Sequence, residues 1–208
     1  MTKIMYIKAS PRGNRSHATH VADFFVEECL RVNPETQVLA RDLFNMDLPP
    51  LDGSMLEAKY NIMHGREHTP QQLDRWRAVE RVIEDFKSAD RYVFAVPMWN
   101  FSIPYRLKHF LDVVAQPTYT FSAGPQGYEG LLKDKKAFVA YARGGEYPAG
   151  TPKEAYNFQS PYLEFMLAFM GITDVVTVAV EPTLGGIDLR DAARDKALAT
   201  ARQVAPGF

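Results

Sequence analysis

The sequence contains a single cysteine, Cys29, so it cannot form an internal disulfide. A fold that needs no disulfide is typical of a reducing compartment, and we expect a cytoplasmic protein. The sequence also lacks long hydrophobic runs. The N-terminal apolar segment, residues 4–7, is too short for a signal peptide or a membrane span, so no span is expected.

Neither sign of charge is in excess. Lysine and arginine number 24 against 25 aspartate and glutamate, which leaves a formal net charge of −1. A polyanion-binding surface normally shows a basic excess, so nucleic acid is not an expected partner. The chain has 208 residues, of which 46% are hydrophobic, enough to bury a sizeable core in a single domain spanning residues 1–208.

Short apolar segments alternate with amphipathic ones along the chain. The apolar segments predict five strands, at residues 4–7, 37–40, 92–96, 137–141 and 175–180. Helices are predicted from Ala18, from a Thr69 cap, after Pro104, from Pro161 to Gly171, and over 188–204. Residues 52–68 receive no assignment. The alternation predicts a doubly wound α/β sheet of parallel strands.

In such a sheet the ligand lies beyond the carboxyl ends of the strands, where the winding direction reverses. The loops after the first, third and fourth strands are therefore the candidate site. Helical spacing places Cys29 on the core face of the first helix, so we assign this thiol to packing.

The first of these loops, residues 10–18, leads into a helix N-terminus, which attracts anions. The hydroxyls of Ser10 and Ser16 and the guanidinium of Arg12 or Arg15 add donors suited to a phosphate. The loop has neither the G-x-G-x-x-G pattern nor a P-loop lysine, which disfavours a dinucleotide fingerprint and an NTPase. A plain polar helix cap is an equally good interpretation of this loop alone.

The second loop, Pro97-Met98-Trp99-Asn100-Phe101, offers a flat apolar slot with an amide that can bind the edge of a heteroaromatic ring. The alternative is an aromatic lid on the core. The third loop, Ala142-Arg143-Gly144-Gly145, has paired glycines that let backbone approach a ligand, although flexible turn glycines would look the same. The three loops together indicate a binding site more strongly than any one of them.

Several stretches of the sequence resemble one enzyme family, the FMN-dependent NADH azoreductases and related quinone reductases. The most specific are the second and third loops. Further matches lie at residues 10–18, 23–27, 107–108, 119–121, 129–131 and 171–174. The resemblance implies a flavodoxin-like fold with strand order 2-1-3-4-5 and bound FMN.

The resemblance also implies a role for each loop. The FMN phosphate would be bound by Ser10, Ser16, His17 and Ala18, with support from Arg12. The isoalloxazine would be cradled by Pro97, Met98, Trp99, Asn100 and Phe101. Its pyrimidine edge would be contacted by Ala142, Arg143, Gly144 and Gly145.

This sequence departs from the family pattern at three positions. Trp99 replaces a usual tyrosine, and Ala18 and Ala142 replace serines. The two alanines leave only backbone donors at their positions, for which Arg12 can compensate at the phosphate. The larger indole of Trp99 chiefly affects which acceptor is preferred.

The implied function is transfer of two electrons from NADH or NADPH to quinones or aromatic azo compounds by a ping-pong mechanism. Tyr147 is the candidate catalytic residue, as hydroxyl donor or proton source, although a surface tyrosine would fit equally well. One alternative function is a flavodoxin-like electron carrier acting on protein partners, which the near-zero net charge disfavours. Another is a flavin-free module on the same fold.

Two further features bear on metal binding and on assembly. His64 and His68 have the spacing of a zinc pair, but no carboxylate pattern completes a site, so we expect no metal. Tyr119, Phe121 and Tyr128 lie in a long excursion between the third and fourth strands. We expect these aromatics to be covered in a homodimer with sites at the interface, the alternative being a lid within one chain.

Overall fold

Seven strands form two sheets in the computed structural model, which describes residues 1–208. The strands are β1 (Lys3–Lys8), β2 (Gln37–Asp42), β3 (Arg91–Pro97), β4 (Phe121–Gly124), β5 (Gly127–Gly130), β6 (Lys136–Ala142) and β7 (Asp174–Val180). Five of them form a parallel sheet in the order β2-β1-β3-β6-β7, while β4 and β5 pair as a separate antiparallel hairpin. Because β6 and β7 are the fourth and fifth predicted strands, the doubly wound order 2-1-3-4-5 is confirmed.

Six α-helices cover the two faces of this sheet. They are α1 (His17–Val32), α2 (Gly53–Met63), α3 (Pro70–Lys87), α4 (Tyr105–Val114), α5 (Ser160–Phe169) and α6 (Ile187–Val204). The Thr69 cap of α3 is confirmed, since its hydroxyl accepts from the Gln72 N–H and the Gln72 side chain bonds back to the Thr69 N–H. None of the helices is both long and apolar enough to cross a membrane.

Side chains on both faces of the sheet are buried. In β3, Tyr92, Phe94 and Val96 belong to the core on one face, while Val93 and Ala95 belong to the core on the other. Burial on both faces explains why the central strands are unbroken apolar runs.

Cys29 of α1 is buried as predicted, and burial raises the pKa of its thiol to about 12. A thiol with so high a pKa holds almost no reactive thiolate near neutral pH, which agrees with a packing role.

Two elements are absent from the sequence-based prediction. Helix α2 buries only Met55 and Ala58, so its apolar pattern is weak, and its clearest signal is the Asp52 cap that accepts from the Met55 N–H. The β4–β5 hairpin has four-residue strands with mostly exposed side chains. Neither element buries enough side chains to produce a recognisable periodicity of hydrophobic residues in the sequence.

The hairpin is anchored at the end of α5, next to the start of β7. The Leu132 N–H donates to the Met170 carbonyl at 2.8 Å, and a Cβ added to Gly130 would lie 2.2 Å from the Gly171 nitrogen. This backbone-to-backbone contact requires glycine at position 130. It places the hairpin at the amino edge of the parallel sheet, opposite the carboxyl ends of the strands.

Candidate functional site

The loop after β1 is built by short-range hydrogen bonds. A 3₁₀ turn, Gly13–Arg15, leads to Ser16, whose hydroxyl oxygen caps α1 by accepting from the Thr19 N–H at 3.3 Å. The Ser10 oxygen accepts from the Arg12 N–H at 3.4 Å. Both hydroxyls are buried and act as acceptors within the protein, so each keeps its hydrogen to donate to an anion.

The first turn of α1 supplies further donors beside these hydroxyls. The N–H groups of His17 and Ala18 stand at the first two helical positions, where no carbonyl of the helix can accept from them. Ala18 is buried, His17 is half-buried and Arg12 is exposed. The predicted phosphate-loop residues are thus together at one helix N-terminus.

Two cations from α6 join this loop and were not predicted. Burial lowers the pKa of His17, and the nearby positive charges of Arg190, Arg12 and Arg194 lower it further. Asp191 pairs with both α6 arginines, at 3.0 and 3.1 Å. In the sequence these residues resemble the charged face of an ordinary terminal helix, so only the fold reveals their proximity to the loop.

The loop after β3 forms a tight turn with an unusual backbone. The N–H groups of Trp99 and Ser102 each donate to the other residue's carbonyl, at 2.9 and 3.0 Å. Between them Asn100 and Phe101 have φ values of 47° and 68°, a left-handed conformation as in a type I′ turn. Asparagine tolerates this region, but phenylalanine is strained there, and such strain concentrates at functional sites.

The side chain of Trp99 forms an aromatic wall with two neighbours. Its ring centroid lies 5.6 Å from that of Phe44 and 6.2 Å from that of Tyr105. Trp99, Asn100 and Tyr105 also line a cavity of about 420 Å³. The tryptophan that departs from the family pattern therefore enlarges an apolar surface beside the turn.

The loop after β6 lies against the loop after β3. The Met98 N–H donates to the Ala142 carbonyl at 2.8 Å, and the rings of Phe101 and Tyr147 meet edge to face at 6.4 Å. The N–H groups of Gly144 and Gly145 have no acceptor within the chain. These two amides are therefore available to a ligand lying between the loops.

Tyr147 is half-buried and folds back over this turn. Its hydroxyl would lie 3.4 Å from a Cβ added to Gly145, so it stands beside the free amides. The structure thus brings the candidate catalytic hydroxyl to the predicted site.

The side chain of Arg143 points into the protein. It is 6% exposed, its Nε donates to Gln159 Oε1 at 2.8 Å, and its Nη1 pairs with Glu181 at 3.1 Å. Its own N–H donates to the Val180 carbonyl. Arg143 therefore holds the turn from below, while the adjoining glycine amides keep no partner within the chain.

The comparisons with known proteins agree with this geometry. A family model described as having a flavodoxin-like fold matches residues 2–205. An FMN-dependent NADH:quinone oxidoreductase of Nitratidesulfovibrio vulgaris strain DP4 is 51% identical over 209 residues, covering 100% of both chains. The chain belongs to this flavodoxin-like family of quinone reductases and azoreductases. The resemblance stated from the sequence is thereby confirmed.

Two solved members of the family superpose closely on this chain. The azoreductase of Bacillus anthracis strain Sterne matches with a TM-score of 0.92 at 27% identity, covering 100% of each chain. An FMN-dependent NADH-azoreductase of Bacillus anthracis strain Ames Ancestor, solved in complex with FMN, matches with a TM-score of 0.89 at 26% identity, covering 99% of this chain and 100% of that one.

The donor set at the carboxyl edge fits the FMN of this family. One end offers buried hydroxyls, free helix amides and cations for a phosphate, and the other end offers an aromatic turn with free amides for a heteroaromatic ring. No adenosine-binding fingerprint accompanies them. The chemistry therefore matches a mononucleotide.

Proposed function

We propose that this protein is an FMN-dependent oxidoreductase that transfers two electrons from NADH or NADPH to quinones or aromatic azo compounds in a ping-pong cycle. The observation that carries the proposal is the convergence of the loops after β1, β3 and β6 into one surface of free donors beside the strained Asn100-Phe101 turn. Bound FMN would supply the redox chemistry, accepting a hydride and delivering electrons as a pair.

The residues of the chain would position the reactants and stabilise charge. The hydroxyls of Ser10 and Ser16, the α1 amides and Arg12 would hold the phosphate. The amides of Gly144 and Gly145 would donate to negative charge at the pyrimidine edge, where fixed donors in a dry site are most effective. The Tyr147 hydroxyl would serve as a proton source for the acceptor.

The first experiment identifies the flavin and the electron acceptor. Heat should release FMN from the purified protein, and NADH should be oxidised rapidly with a small quinone and no protein partner. Release of FAD alone, or no flavin even after reconstitution, would refute the proposal. FMN without quinone turnover would favour the electron carrier that acts on protein partners.

We further propose that the working unit is a homodimer. Four aromatic rings from the hairpin and α5 touch in sequence, with centroid distances from 4.5 to 6.1 Å, and they form an aromatic patch. The patch consists of Phe121, Tyr128, Phe165 and Phe169. Tyr128 is 72% and Phe165 62% exposed in the single chain, and contiguous exposed rings are typical of protein interfaces.

The aromatic patch lies far from the candidate site of its own chain. Tyr119 is engaged within its own chain, since its hydroxyl donates to Glu80 at 2.6 Å and its ring packs edge-on to Trp76. Phe121 and Tyr128 lie at the C-terminal end of α5, away from the loops after β1, β3 and β6, which we call the flavin loops. Helix α5 spans ten residues, or about 15 Å. A hairpin that covers the site would therefore come from a second copy of the chain.

Light scattering at micromolar concentration should give twice the mass of one chain. Phe121→Ala should weaken the dimer and lower turnover together, while Tyr60→Ala, which removes an exposed ring from α2, should change neither. An active monomer whose kinetics ignore Phe121→Ala would refute the dimer and leave the FMN assignment standing.

A further inference from the structure

One fully buried glutamine, Gln159, connects the ends of two strands beneath the site. Its exposure is 0%, and it immediately precedes α5. Its Nε2 donates to the Val96 carbonyl at 3.1 Å, and its Oε1 accepts from Arg143 Nε at 2.8 Å. Val96 lies at the end of β3 and Arg143 just past β6, so one amide spans the bases of two flavin loops.

The residue before it holds the other end of the same loop. The Phe158 N–H donates to the Phe101 carbonyl at 3.0 Å. Consecutive residues therefore hold the loop after β3 at Val96 and at Phe101, on either side of the left-handed turn. A strained backbone persists only where surrounding contacts determine it from several sides, and these two bonds do so.

Arg143 extends the connection to a third strand. Its guanidinium pairs with Glu181, just past β7, while its N–H and carbonyl bond to Val180 and Thr183. The turn carrying Gly144 and Gly145 is thus fixed from the side away from solvent. Loss of the Gln159 amide would leave the Arg143 Nε–H without a partner in the interior and would remove the side-chain bond to the Val96 carbonyl, so both loops would have to shift to compensate.

We propose that Gln159 is a positioning residue. It fixes the position of the left-handed Asn100-Phe101 turn relative to the Gly144–Gly145 amides, and thereby sets the affinity and reduction potential of bound FMN. The inference rests on the proposed placement of FMN at these loops. Gln159 itself lies below the loops and acts on the flavin through Val96 and Arg143.

The chain offers a matched control in Gln116. This glutamine is also buried, at 4% exposure, and its Nε2 donates to the Asp112 carbonyl in the last turn of α4. It follows the C-terminus of α4, whose N-terminus adjoins the flavin loop, so it lies a helix length from the site. Gln116→Leu removes the same side-chain amide without touching a flavin loop.

The experiment compares Gln159→Leu, Gln159→Glu and Gln116→Leu by FMN titration of the apoprotein, by the FMN midpoint potential and by apoprotein melting temperature. We expect Gln159→Leu to weaken oxidised FMN binding about tenfold and reduced FMN binding about a hundredfold. The tenfold difference corresponds to a potential about 30 mV more negative for a two-electron couple. Gln116→Leu should lower the melting temperature only.

Gln159→Glu separates the two halves of the connection. Its carboxylate can still accept from Arg143 but cannot donate to Val96, so FMN affinity should fall while the potential stays near the wild-type value. This variant also decides the matter if Gln159→Leu fails to fold. A Gln159→Glu protein with wild-type FMN affinity would overturn the proposal.

The proposal is likewise overturned if Gln159→Leu folds and changes only the melting temperature, as Gln116→Leu does. That result differs from failure of the proposed FMN site, in which variants of Asn100 and Arg12 would also leave FMN binding unchanged.

Discussion

The loops after β1 and β3 lie side by side at the carboxyl edge of the sheet but are held by different kinds of contact. In the first, side-chain hydrogen bonds join residues two or three positions apart. In the second, the Val96 carbonyl is bonded by a residue 63 positions later, and the Phe101 carbonyl by Phe158. The phosphate loop is a local structure, whereas the aromatic loop depends on the completed fold.

The difference matches what each loop would bind. A phosphate is nearly symmetric and charged, so a helix terminus with a few flexible donors can hold it. A planar ring that changes charge on reduction needs donors and walls at fixed positions. The long-range contacts supply that rigidity at the aromatic loop.

Asn100→Leu should impair the aromatic loop most. Leucine costs about 1–2 kcal/mol in the left-handed region, and loss of the amide removes about 1 kcal/mol more, so FMN affinity should fall about a hundredfold. Asn100→Gly keeps the backbone conformation and loses only the amide, so FMN affinity should fall only about fivefold. FMN titration of the apoproteins measures both, with melting temperatures as the check on folding.

Equal losses in the two Asn100 variants would mean that the left-handed backbone is unimportant. Normal flavin binding and reduction in both would mean that the aromatic slot belongs to another ligand.

FMN binding by the phosphate loop after β1 should depend on side-chain charge and not on a strained backbone conformation. Arg12→Ala removes a charge-assisted hydrogen bond of about 2 kcal/mol, so FMN affinity should fall about thirtyfold, and the midpoint potential should stay unchanged. Arg15→Ala, one 3₁₀ turn away, is the control and should have little effect. If the Arg12→Ala protein keeps wild-type affinity, the phosphate must be bound by Arg15, His17 or the backbone instead.

The smallest expected effect is a pH dependence carried by His17. Burial and the surrounding arginines lower the pKa of His17 below its usual value near 6.5, so the imidazole is neutral at pH 7 in the apoprotein. A bound phosphate favours the protonated form. FMN affinity should therefore rise as the pH falls below about 6.5, by about fivefold relative to His17→Gln, equal to about 1 kcal/mol.

Comparison with His17→Gln at pH 7.5 and 5.5 removes the contribution of the phosphate, which itself titrates near pH 6. The stability of the apoprotein should change with pH in the opposite direction to FMN affinity. The unfolded chain takes up the His17 proton first, so the apoprotein loses stability as the pH falls through 6.5. A ratio of affinities that does not change with pH would place His17 outside the phosphate site.

The sequence predicts those parts of the molecule whose pattern is local. The strands buried on both faces are continuous apolar runs, and Thr69 with Pro70 marks the start of α3, so these elements are recovered within a residue or two. Helix α2 and the β4–β5 hairpin bury few side chains, so their sequences show no hydrophobic periodicity. The phosphate-loop residues are found because a strand, a turn and a helix cap follow each other directly.

The remaining features of the site depend on contacts that no local pattern encodes. Nothing in the sequence around Phe101 signals a left-handed phenylalanine, since that region is usually reserved for glycine or asparagine. Gln159 bonds to Arg143 and Val96 across 16 and 63 positions, and Arg190 reaches His17 only because α6 packs on α1.

The position of β1 between β2 and β3 has a consequence for how the protein is made. The first strand to leave the ribosome acquires one neighbour at residues 37–42 and waits for residues 91–97 to supply the other. The aromatic loop waits longer still, since Gln159 and Phe158 must emerge before its ends are held. A nascent or truncated chain can therefore form the phosphate loop early but cannot retain flavin. The Gly144–Gly145 turn waits for the end of β7, which also holds Arg143, so acquisition of the yellow colour would require synthesis to have passed β7. Incomplete chains would remain colourless and open to proteolysis.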